Sequence, residues 1–139
     1  MPGSYAWVFK APRADLYTFG ARKVGTHFAG PTWQDTADAS SVVGRAIQNV
    51  PAPTSEGLPP AIPWLLLETR SVTSAASGNP GAFARTSFVR HLFTLGGLAP
   101  TGGCDATTAG QEWGVRYAAL YEFYTPSSSD RADLTTGLA

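Results

Sequence analysis

The 139 residues fall at the commonest size for one domain, and an apolar content of 43% with four Trp, five Tyr and seven Phe fills a core without disulfides or metals. Ten basic residues against ten acidic ones give zero formal charge with no run of like charge, which removes the electrostatic footprint of a nucleic-acid binder. The longest dense apolar run, 62–67, is far short of the roughly 20 residues that span a bilayer, so no membrane span is expected.

Along the chain the apolar residues recur at period two, in short β-branched and aromatic segments separated by Gly and Pro, which predicts an all-β chain. Tyr5, Trp7 and Phe9 alternate with Ala6, Val8 and Lys10 in a first strand that stops at Pro12. Residues 16–19 and 23–28 read as a hairpin turning at Gly20, and residues 32–35 and 41–50 as a second one turning through 36–40. Pro51, Pro53, Pro59, Pro60 and Pro63 each lack a donor N–H, so 51–63 is a crossover or an Ω-type loop.

Residues 64–70 form a strand, apolar on both faces at its start and charged at its end. Residues 83–94 are expected to form a long strand with Arg85, Val89, His91 and Phe93 on one face and Phe88 and Leu92 on the other. The loop 95–112 carries Gly96, Gly97, Gly102, Gly103 and Gly110 and is either a lid or an ordered cap. In the last strand, 113–124, Trp113, Val115, Tyr117, Ala119, Tyr121 and Phe123 share a face that must be covered. The domain is expected to span 1–125, followed by a loosely held polar tail, 126–139, in which 131–138 is at most a turn of helix. Seven to eight hairpin-linked strands suit a single antiparallel β-barrel, with a two-sheet β-sandwich as the alternative. The polar Arg85 and His91 at mid-strand favour the barrel, whose small lumen tolerates them better than a dry sandwich core.

The common catalytic motifs are missing. There is no Gly-x-Ser-x-Gly elbow, no phosphate loop with its Lys, no His-Glu-x-x-His and no Gly-x-Gly-x-x-Gly turn in a βαβ unit, so a nicotinamide-dependent dehydrogenase is excluded and no cofactor is expected. A metal would need His27, His91, Asp35 and Asp38 to converge, and no metal site is assigned. Cys104, the single cysteine, excludes an internal disulfide and is either a reactive thiol in a Gly-rich loop or inert.

His27 and His91 are the candidate proton-transfer residues. For His27 the structural reading is a hydrogen bond to the next loop that fixes the corner at Gly30 and Pro31. Trp33, Trp64, Tyr117 and Tyr121 are the candidates to line an apolar pocket, or else are core. Three functions follow. The first is a non-enzymatic β-barrel that binds a small apolar molecule. The second is a cofactor-free isomerase, cyclase or lyase, with His27 or His91 as proton donor and Tyr117 or Tyr121 as the orienting hydroxyl. The third is a structural surface protein that self-associates through exposed strand edges.

The strings Ala6-Trp7-Val8-Phe9-Lys10-Ala11-Pro12, Val24-Gly25-Thr26-His27-Phe28-Ala29-Gly30-Pro31-Thr32-Trp33, Ile62-Pro63-Trp64-Leu65-Leu66-Leu67 and Gly96-Gly97-Leu98-Ala99-Pro100, with Ala14-Asp15-Leu16-Tyr17, resemble the family of domain of unknown function 3455 over residues 6–124. The resemblance implies a secreted or periplasmic protein, although residues 1–4 have neither the basic nor the apolar region of a signal peptide. Fungal members bear the label malate dehydrogenase, which the missing dinucleotide motif does not support. Members also carry a cysteine upstream of the first string, so Cys104 is expected here without that partner. Where the family has Gly in the second hairpin turn, this chain has Ala39.

Overall fold

The computed structural model describes residues 4–54, 59–126 and 132–135. Eight strands run in chain order: β1 (Ala14–Tyr17), β2 (Lys23–Phe28), β3 (Thr32–Asp35), β4 (Ser41–Val50), β5 (Trp64–Thr73), β6 (Phe88–Gly96), β7 (Tyr117–Pro126) and β8 (Ala132–Thr135). Each pairs antiparallel with the next in one continuous sheet, and there is no helix among the described residues. The all-β expectation therefore holds. The connection from β4 to β5 joins hydrogen-bonded neighbours, so the proline-rich segment is a long hairpin loop rather than a crossover.

The sheet does not close into the expected barrel. Six antiparallel steps separate β1 from β7, so these two strands run the same way and cannot complete a hairpin-built barrel with an antiparallel pair. β8 runs opposite to both, but it lies against only residues 123–126 of β7. Residues 117–122 of β7 have no ladder partner on that side among the described residues, and neither has the outer edge of β1. The sheet still curls strongly, since His27 on β2 meets Tyr121 on β7 with ring centroids 5.1 Å apart, and Trp33 on β3 meets Phe123 at 5.9 Å. The result is an open curl between the closed barrel and the two-layer sandwich.

The curl encloses one core, in which Leu16, Trp33, Val42, Leu67, Val89 and Phe123 come from β1, β3, β4, β5, β6 and β7 in turn, with Phe83 added from the turn before β6. Burying each such side chain contributes about 1.5–3 kcal/mol, which makes this interior the main stabilising feature of the sheet. At one end a hydrogen-bonded knot holds the hairpins together. Asp35 Oδ1 accepts the N–H groups of Ala37 and Asp38, each at 2.8 Å. Asp38 Oδ2 accepts that of Ala82 at 2.8 Å, and the buried Ser40 hydroxyl accepts that of Phe83 at 3.1 Å. Ala39 keeps the glycine-type turn at φ 63.

Four strand expectations need correction. Residues 5–10 pair with no strand among the described residues, and Val8 and Phe9 are 84% and 80% exposed. Trp7 instead donates its indole N–H to the Gly102 carbonyl at 3.0 Å and packs its ring on Trp113, while Lys10 pairs with Glu112. The last strand starts at Tyr117 rather than at 113, leaving Trp113 and Val115 exposed, because Gly96 and Gly97 turn the chain away at positive φ.

The strand expected over 83–94 begins only at Phe88, so Arg85 sits exposed in a turn and does not face the interior. Further along, a bulge between Leu92 and Leu95 puts Phe93 at φ 48 and reverses its face. Phe93 then lies outside against Trp64, and Thr94 turns inward, its hydroxyl donating to the Ile62 carbonyl at 2.5 Å. In the tail, 132–135 form β8 rather than a helical turn, and the rest of 127–139 lies outside the described residues.

Candidate functional site

Cross-strand register brings the two histidines together, although they stand 64 positions apart in the sequence. His27 is the register partner of Trp33 and stacks on it at 4.6 Å and 15°, and His91 is the partner of Tyr121 and stacks on it at 5.0 Å and 9°. The curl then sets the first pair on the second through the contact of His27 with Tyr121. The order Trp33, His27, Tyr121, His91 is a continuous column of four rings across the interior.

Both imidazoles are buried, and desolvation of the charged form pushes each pKa from 6.5 down to about 4. For His27 a hydrogen bond to the Thr32 carbonyl works in the opposite direction, and for His91 repulsion by His27 adds to the depression. His27 Nδ1 lies 2.8 Å from the Thr32 carbonyl, an acceptor only, which makes Nδ1 the protonated nitrogen. That bond ties β2 to the far side of the corner at Gly30 and Pro31, whose peptide bond is cis. Nε2 of His91 and Nε1 of Trp33 are buried with no hydrogen-bond partner among the described residues.

On β7, Tyr117 and Tyr121 share the interior face with Ala119 between them. At about 3.3 Å per residue their Cα atoms stand roughly 13 Å apart, and only the small Ala119 lets the two side chains lean together until the hydroxyls meet at 3.0 Å. Burial raises the pKa of both phenols above the usual value.

Beside this pair, where β7 and β1 fail to join, lies an open cleft of about 290 Å³ lined by Ala14, Asp15, Tyr17, Tyr117, Ala118, Ala119 and Tyr121. Asp15 carries an exposed ion pair with Lys23 at 3.2 Å.

Of the residues singled out from sequence, Tyr117 and Tyr121 line the cleft, and His27 and His91 stand behind it in the ring column. Trp33 is core at the end of that column, and Trp64 lies apart against Phe93. Asp35 and Asp38 are engaged in the turn, and no three His, Cys, Asp or Glu side chains converge among the described residues. Cys104 is a half-buried free thiol. Ala14, Asp15 and Tyr17 were not foreseen, because strand alternation fixes the face of a residue and says nothing about which sheet edges come to oppose each other.

A family model described as "Protein of unknown function (DUF3455)" matches residues 1–125. No curated protein and no solved structure matches the chain.

Proposed function

The chain belongs to the DUF3455 family, whose description assigns no activity, and we propose that the protein is a non-enzymatic binder of a small, largely apolar molecule in the cleft between β1 and β7. The observation that carries this is the lining. Three tyrosines and three alanines offer aromatic and methyl surface around about 290 Å³, near the lower limit of small-molecule sites, while the paired hydroxyls of Tyr117 and Tyr121 supply one polar anchor. The depressed imidazole pKa values weigh against the alternative of proton-transfer catalysis. Imidazoles titrating at about 4 are neutral at pH 7 and lack the second ring proton that a general acid gives up, and the phenols, raised above their usual value, keep theirs. An extracytoplasmic setting is part of the proposal, supported by the family resemblance alone, and fractionation of the source cells tests it.

The binding is tested by titrating isotope-labelled protein with a small neutral aromatic such as indole. Saturable amide shifts confined to residues 14–17 and 117–121 are expected, and Tyr117→Ala should abolish them. Shifts scattered over the whole sheet, or none at millimolar indole, refute the site.

The open edges of β1 and of residues 117–122 of β7 favour a second reading, in which copies of the chain associate edge to edge. Light scattering across a concentration series distinguishes it, since a monomer at all concentrations eliminates self-association.

A further inference from the structure

We propose that the molecule taken by this cleft is a neutral carbonyl compound, its oxygen accepting a hydrogen bond from the Tyr117 hydroxyl. The inference rests on the cleft being a binding site and adds the chemical class of its ligand. The direction of the hydrogen bond between Tyr117 and Tyr121, whose hydroxyls stand 3.0 Å apart, decides that class. Tyr121 is 4% exposed, and its hydroxyl makes no other hydrogen bond among the described residues. Were Tyr117 the donor, the Tyr121 proton would be left buried without an acceptor, at the full desolvation cost of that group. With Tyr121 donating, the proton left over is that of Tyr117, which is the more exposed of the two and lines the cleft.

No side chain among the described residues takes that proton. Nε2 of His91, whose ring lies T-shaped to that of Tyr117 at 6.4 Å, makes no hydrogen bond, and Asp15, the one carboxylate of the lining, is half exposed and engaged by Lys23. Burial raises both phenols above the usual pKa, so Tyr117 keeps its proton at neutral pH and stays a donor. Accepting from Tyr121 also polarises the Tyr117 O–H and makes it a stronger donor than a lone phenol. A carboxylate ligand would lose its hydration against alanine methyls with no cation in the lining, since Lys23 is already held by Asp15. An alcohol brings a second proton that needs an acceptor of its own. A ketone, ester or tertiary amide oxygen takes the one proton on offer and leaves its hydrocarbon to the apolar walls.

The test compares acetophenone, labelled with carbon-13 at its carbonyl, with toluene, which lacks the oxygen. Both are titrated into labelled wild-type protein, Tyr117→Phe and Tyr121→Phe, following the amides of residues 14–17 and 117–121. Tyr117→Phe should weaken acetophenone about fivefold, the usual net worth of a neutral hydrogen bond, and toluene by less than about twofold. The carbonyl carbon should move downfield on binding to wild type and not on binding to Tyr117→Phe. Tyr121→Phe keeps the ring and the outer proton, so it should weaken acetophenone by less than Tyr117→Phe does; a gain in affinity would show that Tyr117 donates inward and would overturn the assignment. If Tyr117→Phe weakens both compounds alike, or neither, the acceptor class is wrong and the apolar cleft stands. If neither compound produces a localised shift at millimolar concentration, the cleft and the inference fall together.

Discussion

Acidification through the range where only histidines titrate should destabilise the fold, and the column of four rings sets the size of the effect. A folded pKa of about 4 against 6.5 for the free side chain means that the unfolded chain binds more protons than the folded one between these values. Stability from each histidine is thus complete at neutral pH and falls as the pH drops through 6.5 towards 4. The limiting slope is about 1.4 kcal/mol per pH unit for each group, so going from pH 7 to pH 5 removes about 2 kcal/mol per histidine and about 4 kcal/mol for the pair. Such a loss is a large share of the 5–15 kcal/mol typical of a domain. Asp38 and Asp105, held below 3.8 by hydrogen bonds, begin to contribute only at lower pH and leave the window clear.

Urea unfolding followed by tryptophan fluorescence at pH 7, 6 and 5 measures the loss directly, with a constant slope confirming a two-state transition. His91→Phe should keep the stack on Tyr121, remove the unpartnered Nε2 and one titrating group, and roughly halve the pH dependence without lowering stability at pH 7. An unfolding free energy that is flat between pH 7 and 5, or imidazole resonances of the folded protein titrating near 6.5, would refute the reasoning.

Ala39→Gly relieves a side chain at φ 63 and should raise stability by about 0.5–1 kcal/mol after the entropy given back to the unfolded chain, a gain visible in the urea midpoint; a loss would show that the turn is not strained. Gly81→Ala should cost about 2–3 kcal/mol, because φ is +81 and the new Cβ would stand 2.6 Å from that of the buried Ser40. Thermal unfolding checks this, and a shift of less than a degree or two would mean that the knot yields. Val89→Ala and Phe93→Ala, two positions of equal parity on β6, should differ in an instructive direction. The smaller truncation costs about 2 kcal/mol and the larger less than 1 kcal/mol, since Val89 is fully buried and Phe93 is 62% exposed. Equal costs would place Phe93 inside and remove the bulge.

Period-two alternation was enough to read the all-β class, both early hairpins and the inward face of β7 at Tyr117, Tyr121 and Phe123, because a pleated strand buried on one side imposes that rhythm locally. The same rhythm misled at Tyr5, Trp7 and Phe9, which alternate as a strand does but pair with nothing among the described residues, since a ladder needs a second edge in register. It misled again at Phe93, where one bulge inverts the faces beyond it.

The sequence by itself determined which residues are able to form strands and which side of each strand must avoid water. Tertiary structure alone decided that His27 and His91 share one stack, that β1 and β7 do not pair and leave a gap among the described residues, and that Asp15 and Tyr17 line it together with Tyr117. These outcomes depend on the curl and stagger of the whole sheet, a sum over all its strand pairs that no single segment encodes.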